Sequence, residues 1–193
     1  MTHSVDAGQY RMTVVGWSAK LKLRINVAAI AVCCMAVLAV GGCKPAENAV
    51  TATSARPAVR PAAPSLKTPT SAVESYLDWI SFSYRQMDSD LASATMTPDE
   101  LVHVDAYVQF NLQKERGIEQ ELLNLKVRSV SEESTRAIVA ASEEWRYRYF
   151  ARTTLLYDGP ERLVSYETTY TLVRSDGAWL VDAVEATAAG EVP

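Results

Sequence analysis

A segment at residues 20–43 limits which part of this chain can form a globular domain. Three basic residues at its start precede an apolar run, Ile25–Val40, that only Asn26 interrupts, and small residues follow. A basic flank, an apolar core and a small-residue end are typical of a secretory signal, which is not part of the folded protein. We therefore expect one globular domain, built from the residues that follow Cys43.

The end of this segment, Val40-Gly41-Gly42-Cys43, resembles the lipobox of bacterial lipoproteins. In a lipobox, a branched apolar residue and two small residues precede a cysteine, and valine stands here where leucine is usual. The resemblance implies that Cys43 carries fatty-acyl chains such as palmitate and becomes the N-terminus. It also implies a membrane as partner: lipid on Cys43 would hold an extracytoplasmic domain at the cell membrane, or at the outer membrane where the envelope has one.

Two other interpretations of the segment remain open. Its apolar length is at the lower limit for a membrane-spanning helix, so it could be an uncleaved anchor. It could also be a plain signal peptide in which Cys43 has no role. Each interpretation places the following chain outside the cytoplasm, because the basic flank stays inside. Residues 1–19 lie upstream of the signal and Met12 is an adequate start, so we expect the start at Met1 to be over-long.

Charge and the scarcity of cysteine and histidine exclude several classes of function. From residue 44 onward the chain has 15 Lys and Arg against 22 Asp and Glu, which makes it a poor candidate for binding nucleic acid. All three cysteines lie at or before residue 43, so we expect neither disulfides nor a thiol nucleophile in the domain. His103 is the only histidine in this part, and we expect it to face solvent. We therefore expect no metal and no cofactor.

Residues 44–69 have the composition of a linker. They are rich in Ala, Pro, Thr and Ser and contain five of the eight prolines. They show no apolar period of 2 or 3.6 residues, so they cannot contribute to a core. We expect a disordered tether, which in polyproline geometry would span up to roughly 80 Å. The globular domain is then expected at residues 70–188, followed by a tail at residues 189–193.

Two helices are predicted after the tether. The first begins at Thr70-Ser71, with a capping box formed by Ser71 and Glu74, and ends at Asp88-Ser89-Asp90. The second begins at Thr97, which precedes a proline and two acids, and ends at Gly117.

From Ile118 onward the apolar residues alternate, which predicts strands. In the first strand, Leu123, Leu125 and Val127 are expected to share the buried face. The predicted strands run from Ile118 to a turn at Glu132–Ser134, then cover Thr135–Phe150, Leu163–Arg174 and Trp179–Ala186.

Three glycines mark the expected chain reversals. Gly117 is expected to end the second helix, and Asp158-Gly159-Pro160 to reverse the chain within a loop at Ala151–Arg162. Asp176-Gly177 is expected to form a tight hairpin.

This order of elements predicts an α+β fold, in which two N-terminal helices pack on one face of a curved, four-stranded antiparallel sheet. The final hairpin, Tyr170–Val184 with Asp176-Gly177 and Trp179, resembles the closing hairpin of nuclear transport factor 2-like and cystatin-like domains, which are cone-shaped. Three further motifs look like the intermembrane-space domain of chloroplast-division proteins and its bacterial relatives: Val127–Val130, Ala137–Val139 and Glu143-Glu144.

The resemblance implies several classes of function. This superfamily includes isomerases, dehydratases, polyketide cyclases and domains that only bind partners, and its catalytic members use a His/Asp or Tyr/Asp pair in the cone. The histidine is missing from the predicted sheet here. A tyrosine–carboxylate site could be assembled from Glu143 with Tyr147, Tyr166 or Tyr170, which form the candidate pocket.

The direction of Glu143 decides whether that pocket can exist. Unbroken alternation would point its side chain inward, between Ala141 and Trp145, where desolvation would raise its pKa. Long strands commonly carry a bulge, and a bulge at Ser142–Glu144 would turn the carboxylate outward. We expect the bulge. By alternation, Trp145 and Tyr170 are expected in the core, with Tyr147 reaching a pocket.

The function expected from these features is a non-catalytic binding or assembly module of the cell envelope, with an envelope protein as partner. Two alternatives remain: a carrier or sensor of a small apolar ligand, and an isomerase- or cyclase-like enzyme that uses the cone. A filled cone with exposed aromatic residues would favour the first function. A glutamate–tyrosine cluster inside a cavity would favour the other two.

Overall fold

The computed structural model describes residues 53–191. The signal segment, the lipobox with Cys43 and the beginning of the expected tether lie outside the described residues. The described elements are α1 (Pro69–Gln86), a short 3₁₀ helix (Ser89–Thr95), α2 (Pro98–Leu112), β1 (Arg116–Glu132), β2 (Arg136–Ala151), β3 (Tyr157–Ser175) and β4 (Ala178–Glu191).

The four strands form one antiparallel sheet in the order β1-β2-β3-β4, and the helices pack on one of its faces. This confirms the predicted α+β architecture, to which the structure adds the 3₁₀ helix. No helix among these elements is both long and apolar enough to cross a membrane.

The core lies between α1 and the concave face of the sheet. Burying each large apolar side chain there contributes about 1.5–3 kcal/mol to the free energy of unfolding. Its central members are Val73, Tyr76, Leu77 and Ile80 of α1, Val139, Ala141 and Trp145 of β2, Tyr170 and Leu172 of β3, and Trp179 and Val181 of β4.

The first helix begins earlier than the sequence predicted, so the capping box of Ser71 and Glu74 was wrong. Thr68 is the N-cap, and its side-chain oxygen accepts a hydrogen bond from the Ser71 amide at 3.2 Å. The Ser71 hydroxyl in turn accepts one from the Thr68 amide. Pro69 occupies the first helical position, where its missing N–H costs nothing.

The second helix begins as predicted, with Thr97 as its N-cap. Its predicted end at Gly117 was wrong, because α2 ends at Leu112 and Gly117 lies within β1. The glycine is needed there for space: a Cβ atom would lie 2.1 Å from the ζ carbon of Phe150. Only a side chain from the paired strand reveals this requirement.

Two irregularities in β1 change which residues face the core. The register shifts between Leu122 and Asn124 and again between Val127 and Ser129. The first shift turns Leu123 toward solvent and places Leu122 opposite Trp145, so the buried position predicted for Leu123 was wrong. Each extra residue in a bulge moves the following side chains to the other face.

The chain reverses between β2 and β3 earlier than predicted. The reversal lies between Ala151 and Tyr157, with Leu155 at φ 58°. Asp158-Gly159-Pro160, which was predicted as the turn, lies inside β3 and belongs to a bulge opposite Arg148. The last hairpin agrees with the prediction: Asp176 and Gly177 have φ values of 49° and 82°, as a type I′ turn requires.

Both ends of the domain extend beyond the predicted limits. Residues 53–68, which we expected in the disordered tether, lie along the domain with hydrogen bonds to α1, β1, β4 and the β2–β3 turn. At the other end β4 reaches Glu191, which pairs with Val164, so the expected tail begins inside a strand.

Candidate functional site

Glu143 points into the core of the domain. The alternation of β2 is unbroken from Ala141 to Trp145, and the Glu143 side chain is only 5 % exposed. The expected bulge at Ser142–Glu144 was therefore wrong. The register shifts between β1 and β2 fall on β1, and the shift between β2 and β3 lies beyond Tyr147, which leaves Glu143 on the inner face.

Two core side chains bind the Glu143 carboxylate. The indole Nε1 of Trp145 donates a hydrogen bond to Oε2 at 2.7 Å, and the hydroxyl of Tyr170 donates one to Oε1. Tyr170 itself is 1 % exposed. Burial, followed by the neighbouring carboxylate, raises the pKa of Tyr170 well above its ordinary value, so the hydroxyl remains a donor. Both carboxylate oxygens are thus occupied by protein.

A second buried carboxylate lies close to the first. Glu100, in the first turn of α2, accepts a hydrogen bond from the Tyr76 hydroxyl at 2.6 Å. The Tyr76 and Tyr170 rings meet edge to face, with centroids 6.1 Å apart. Burial raises the pKa of Glu100, while hydrogen bonds from Tyr76 and His103 oppose the rise. His103 itself lies at the surface, 3.3 Å from Glu100 Oε2.

The sequence interpretation did not find this second pair. Tyr76 lies inside the first predicted helix, and Glu100 is one of the two acids that mark the start of the second. The spacing along the chain contains no signal that would join them, because they lie on different helices.

The other two tyrosines of the candidate pocket are half-buried. Tyr166 is the cross-strand partner of Glu143, and burial raises its pKa, with Tyr147 and Tyr149 as close neighbours. Tyr147 packs edge to face against Tyr149 and lines a small cavity of about 150 Å³ with Gln120. The structure therefore joins Glu143 to Tyr170, sets Tyr166 beside them and leaves Tyr147 near the surface.

A larger cavity, of about 540 Å³, lies outside the cone. Its walls are Asp78, Ser81, Phe82 and Arg85 of α1 and Glu119–Leu122 of β1, and residues 56–61 cover it. Among residues 53–191, no group of three or more His, Cys, Asp and Glu side chains could hold a metal ion.

One face of α2 exposes apolar side chains. Val102 is 65 % exposed and Phe110 47 %, and Ala106 lies between them at helical spacing. Tyr107 borders this face, and its ring packs against Tyr84 of α1. The opposite face of α2 carries the buried Val104 and Val108, so the helix is apolar on both sides.

Solved structures show which fold this is. No protein-family model matches the sequence, and no curated protein does either. The intermembrane space region of the chloroplast protein ARC6 superimposes with a TM-score of 0.55 and 18 % identity, over 65 % of this chain and 98 % of that one. The domain therefore shares the fold of that ARC6 region.

Two further structures match over similar lengths. A nuclear transport factor 2-like superfamily protein from Salmonella enterica has 8 % identity and a TM-score of 0.45, over 65 % of this chain and 96 % of its own. A ketosteroid isomerase-like protein from Erwinia carotovora has 14 % identity and a TM-score of 0.43, over 63 % and 93 %.

Proposed function

We propose that this protein is a non-catalytic binding module of the cell envelope, tethered to a membrane by lipid on Cys43. The observation that carries the proposal is the burial of Glu143, which is 5 % exposed, among core side chains that bind it. An enzyme or carrier of this fold needs a polar group that a ligand can reach. Here Trp145 and Tyr170 occupy both oxygens of Glu143, and Tyr170 is sealed from solvent.

The exposed face of α2, formed by Val102, Ala106 and Phe110, is the binding surface that we assign to this module. Exposed aromatic and apolar side chains at helical spacing are enriched in protein interfaces. Val104 and Val108 hold the opposite side of the helix against the domain, so this face is presented rigidly. A preorganised face loses little conformational entropy on binding.

The tether can be tested by metabolic labelling with a fatty-acid probe. Wild-type protein should become labelled and enter the membrane fraction, whereas Cys43→Ser should remain unlabelled. The reason is that the lipid of a lipoprotein is attached through the sulfur of the lipobox cysteine, which serine lacks. Equal labelling of both proteins would overturn the lipid anchor.

The binding surface can be tested with a photocrosslinking residue placed at Phe110 in the membrane-bound protein. We expect a discrete crosslinked product from this position. The same probe at Glu133, which is exposed in the β1–β2 turn, should give none. Val102→Ser should reduce the product without lowering the melting temperature, because Val102 contributes little to the core. Identical products from both positions would contradict the assignment.

A further inference from the structure

Residues 53–66, which we call the strap, are fixed to the domain at their N-terminal end by main-chain pairing. Ser54 forms an antiparallel bridge with Leu156. The Ala55 amide donates to the Leu155 carbonyl at 2.7 Å, and the Tyr157 amide donates to the Thr53 carbonyl at 3.1 Å. The strap therefore begins as a short strand beside the β2–β3 turn.

Arg56 attaches the strap to β1. Its Nε donates to Glu119 Oε1 at 2.6 Å and its Nη2 to Glu121 Oε2 at 3.1 Å, while its amide donates to Glu119 Oε2 at 2.9 Å. From α1, the Nε of Arg85 donates to the Arg56 carbonyl at 3.1 Å. The domain therefore binds both the side chain and the main chain of Arg56.

The C-terminal end of the strap is held by two tryptophans. The Trp79 indole donates to the Ala62 carbonyl at 3.1 Å, and the Trp179 amide donates to the Leu66 carbonyl at 2.9 Å. Between its two ends the strap covers the 540 Å³ cavity, and Val59 points into solvent.

Polar contacts dominate the attachment of the strap. Ala55 is the only strap residue that is buried. Contacts of this kind at a protein surface open locally at low cost, because little apolar area becomes exposed. The groove beneath carries three acids and one arginine, Arg85, so it is acidic on balance and complementary to a segment that carries two arginines.

We propose that this groove is a docking site for the strap of a second copy of the chain, so that two copies exchange straps and form a symmetric dimer. The contacts that hold the strap within one copy are of the same kind as those that would hold it in the groove of the other copy, so they contribute little to the free-energy difference between the two forms. The occupant fits by construction, because the same segment already lies in the groove.

The membrane tether would favour this exchange. Residues 44–52 separate the strap from Cys43, so at about 3.1 Å per residue the strap of an anchored copy begins within roughly 30 Å of the membrane. Neighbouring copies are then confined to a thin layer, which raises their effective concentration. This step rests on the proposed lipid anchor, whereas the exchange itself does not.

A fluorescent peptide with the sequence of residues 53–66 tests whether the groove accepts the strap in trans. We expect Arg56→Ala protein, whose own strap is weakened, to bind the peptide at least tenfold more tightly than wild type does. Arg128→Ala, which removes an arginine paired with Glu167 on β3, should behave as wild type. Equal binding by Arg56→Ala and wild type would overturn the proposal.

A second control changes the peptide and keeps the same Arg56→Ala protein. A peptide in which Arg56 is replaced by alanine should lose at least tenfold in affinity for the Arg56→Ala protein, because it lacks the guanidinium that binds Glu119 and Glu121. Unchanged affinity would show that the peptide binds elsewhere and would overturn the assigned groove.

Exchange between full-length copies is tested by disulfide trapping. One tagged copy carries Ser54→Cys and a differently tagged copy carries Leu156→Cys, since these residues are bridge partners. A mixed disulfide on the membrane supports exchange. If the peptide binds but no mixed disulfide forms, full-length copies do not exchange straps and the proposal is overturned. The same trapping with purified Cys43→Ser copies at high concentration tests the exchange without the anchor. A mixed disulfide there, together with none on the membrane, would mean that the proposed anchor fails while the exchange holds.

Discussion

Glu143 and Glu100 are two carboxylates that the core retains by supplying hydrogen-bond donors. Glu143 receives its donors from neighbouring positions of the sheet, and Glu100 receives one from Tyr76 of α1. A buried carboxylate without such partners would cost several kcal/mol. The tyrosine hydroxyls therefore stabilise the fold, and removing one should lower the free energy of unfolding by a measurable amount.

Tyr170→Phe removes one donor from Glu143 without creating a cavity. We expect the free energy of unfolding to fall by about 1.5–3 kcal/mol, the range for hydrogen bonds to charged groups. Tyr166→Phe is the matched control, because Tyr166 is only half-buried and lies beside Glu143 on the same face of the sheet. The change in its free energy of unfolding should stay within about 0.5 kcal/mol. Denaturant unfolding of the three proteins compares them. Equal losses in both variants would mean that the Tyr170 hydroxyl does not stabilise Glu143.

Glu100 should make stability depend on pH. Burial raises its pKa in the folded state above the ordinary value of 4.5. Its contribution is therefore fully present below the unfolded pKa and is lost as the pH rises through the folded pKa. Glu100→Gln cannot ionise, so it should gain stability relative to wild type as the pH rises above the ordinary pKa of 4.5.

Urea unfolding at several pH values across this range gives the difference between wild type and Glu100→Gln. The exposed residue Glu74 supplies the matched control, Glu74→Gln. A difference between wild type and Glu100→Gln that stays constant with pH would show that Glu100 titrates alike in the folded and unfolded chain.

At the scale of secondary structure, the ends of elements depend on single side chains. The Thr68 hydroxyl and Pro69 begin α1 three residues before the position that Ser71 suggested as N-cap. In β1, two register shifts redirect side chains without ending the strand. A helix cap contributes only about 1 kcal/mol, so two neighbouring residues that could each serve as the N-cap differ little in free energy.

The start of α1 can be tested with two alanine variants. Thr68→Ala should lower the free energy of unfolding by about 1 kcal/mol, since an amide of the first turn loses its acceptor. Glu74→Ala should change it by less than about 0.5 kcal/mol, because Glu74 is exposed and takes no part in the cap. Thermal and denaturant unfolding measure both. A larger loss for Glu74→Ala would favour the capping box with Ser71.

At the scale of the whole molecule, the domain includes the strap and contains no cysteine. The chain from residue 44 to residue 193 should therefore unfold in one cooperative transition whose midpoint is the same with and without a reducing agent. The chain from residue 67 lacks the partners of Trp79 and Trp179, and we expect it to be less stable by about 1–3 kcal/mol. Calorimetry of both chains tests this, and equal stability would mean that the strap does not belong to the folded unit.

The strap and the exposed face of α2 lie on different parts of the domain. Exchange of straps would use the groove between α1 and β1, whereas the face around Phe110 would remain free for a protein partner. A strap-exchanged dimer would therefore present two binding faces.

The sequence by itself determined the features that depend on neighbouring residues. Thr97 before Pro98 begins a helix, Asp176-Gly177 closes a hairpin, and alternation from Ala137 to Trp145 makes a strand with one buried face. The order of these elements was enough to predict the α+β fold. Local hydrogen bonding and the period of apolar residues operate over a few positions, so they can be read without knowing the rest of the chain.

Only the tertiary structure decided the features whose partners are distant in the chain. Gly117 is required by the ring of Phe150, and Glu100 is buried against Tyr76 of another helix. Arg56 meets Glu119 across 63 residues, which helps to make residues 53–68 of the expected tether part of the domain. Glu143 faced inward because the bulges formed elsewhere in the sheet. Each of these depends on the packing of whole elements against one another, and no local pattern encodes that packing.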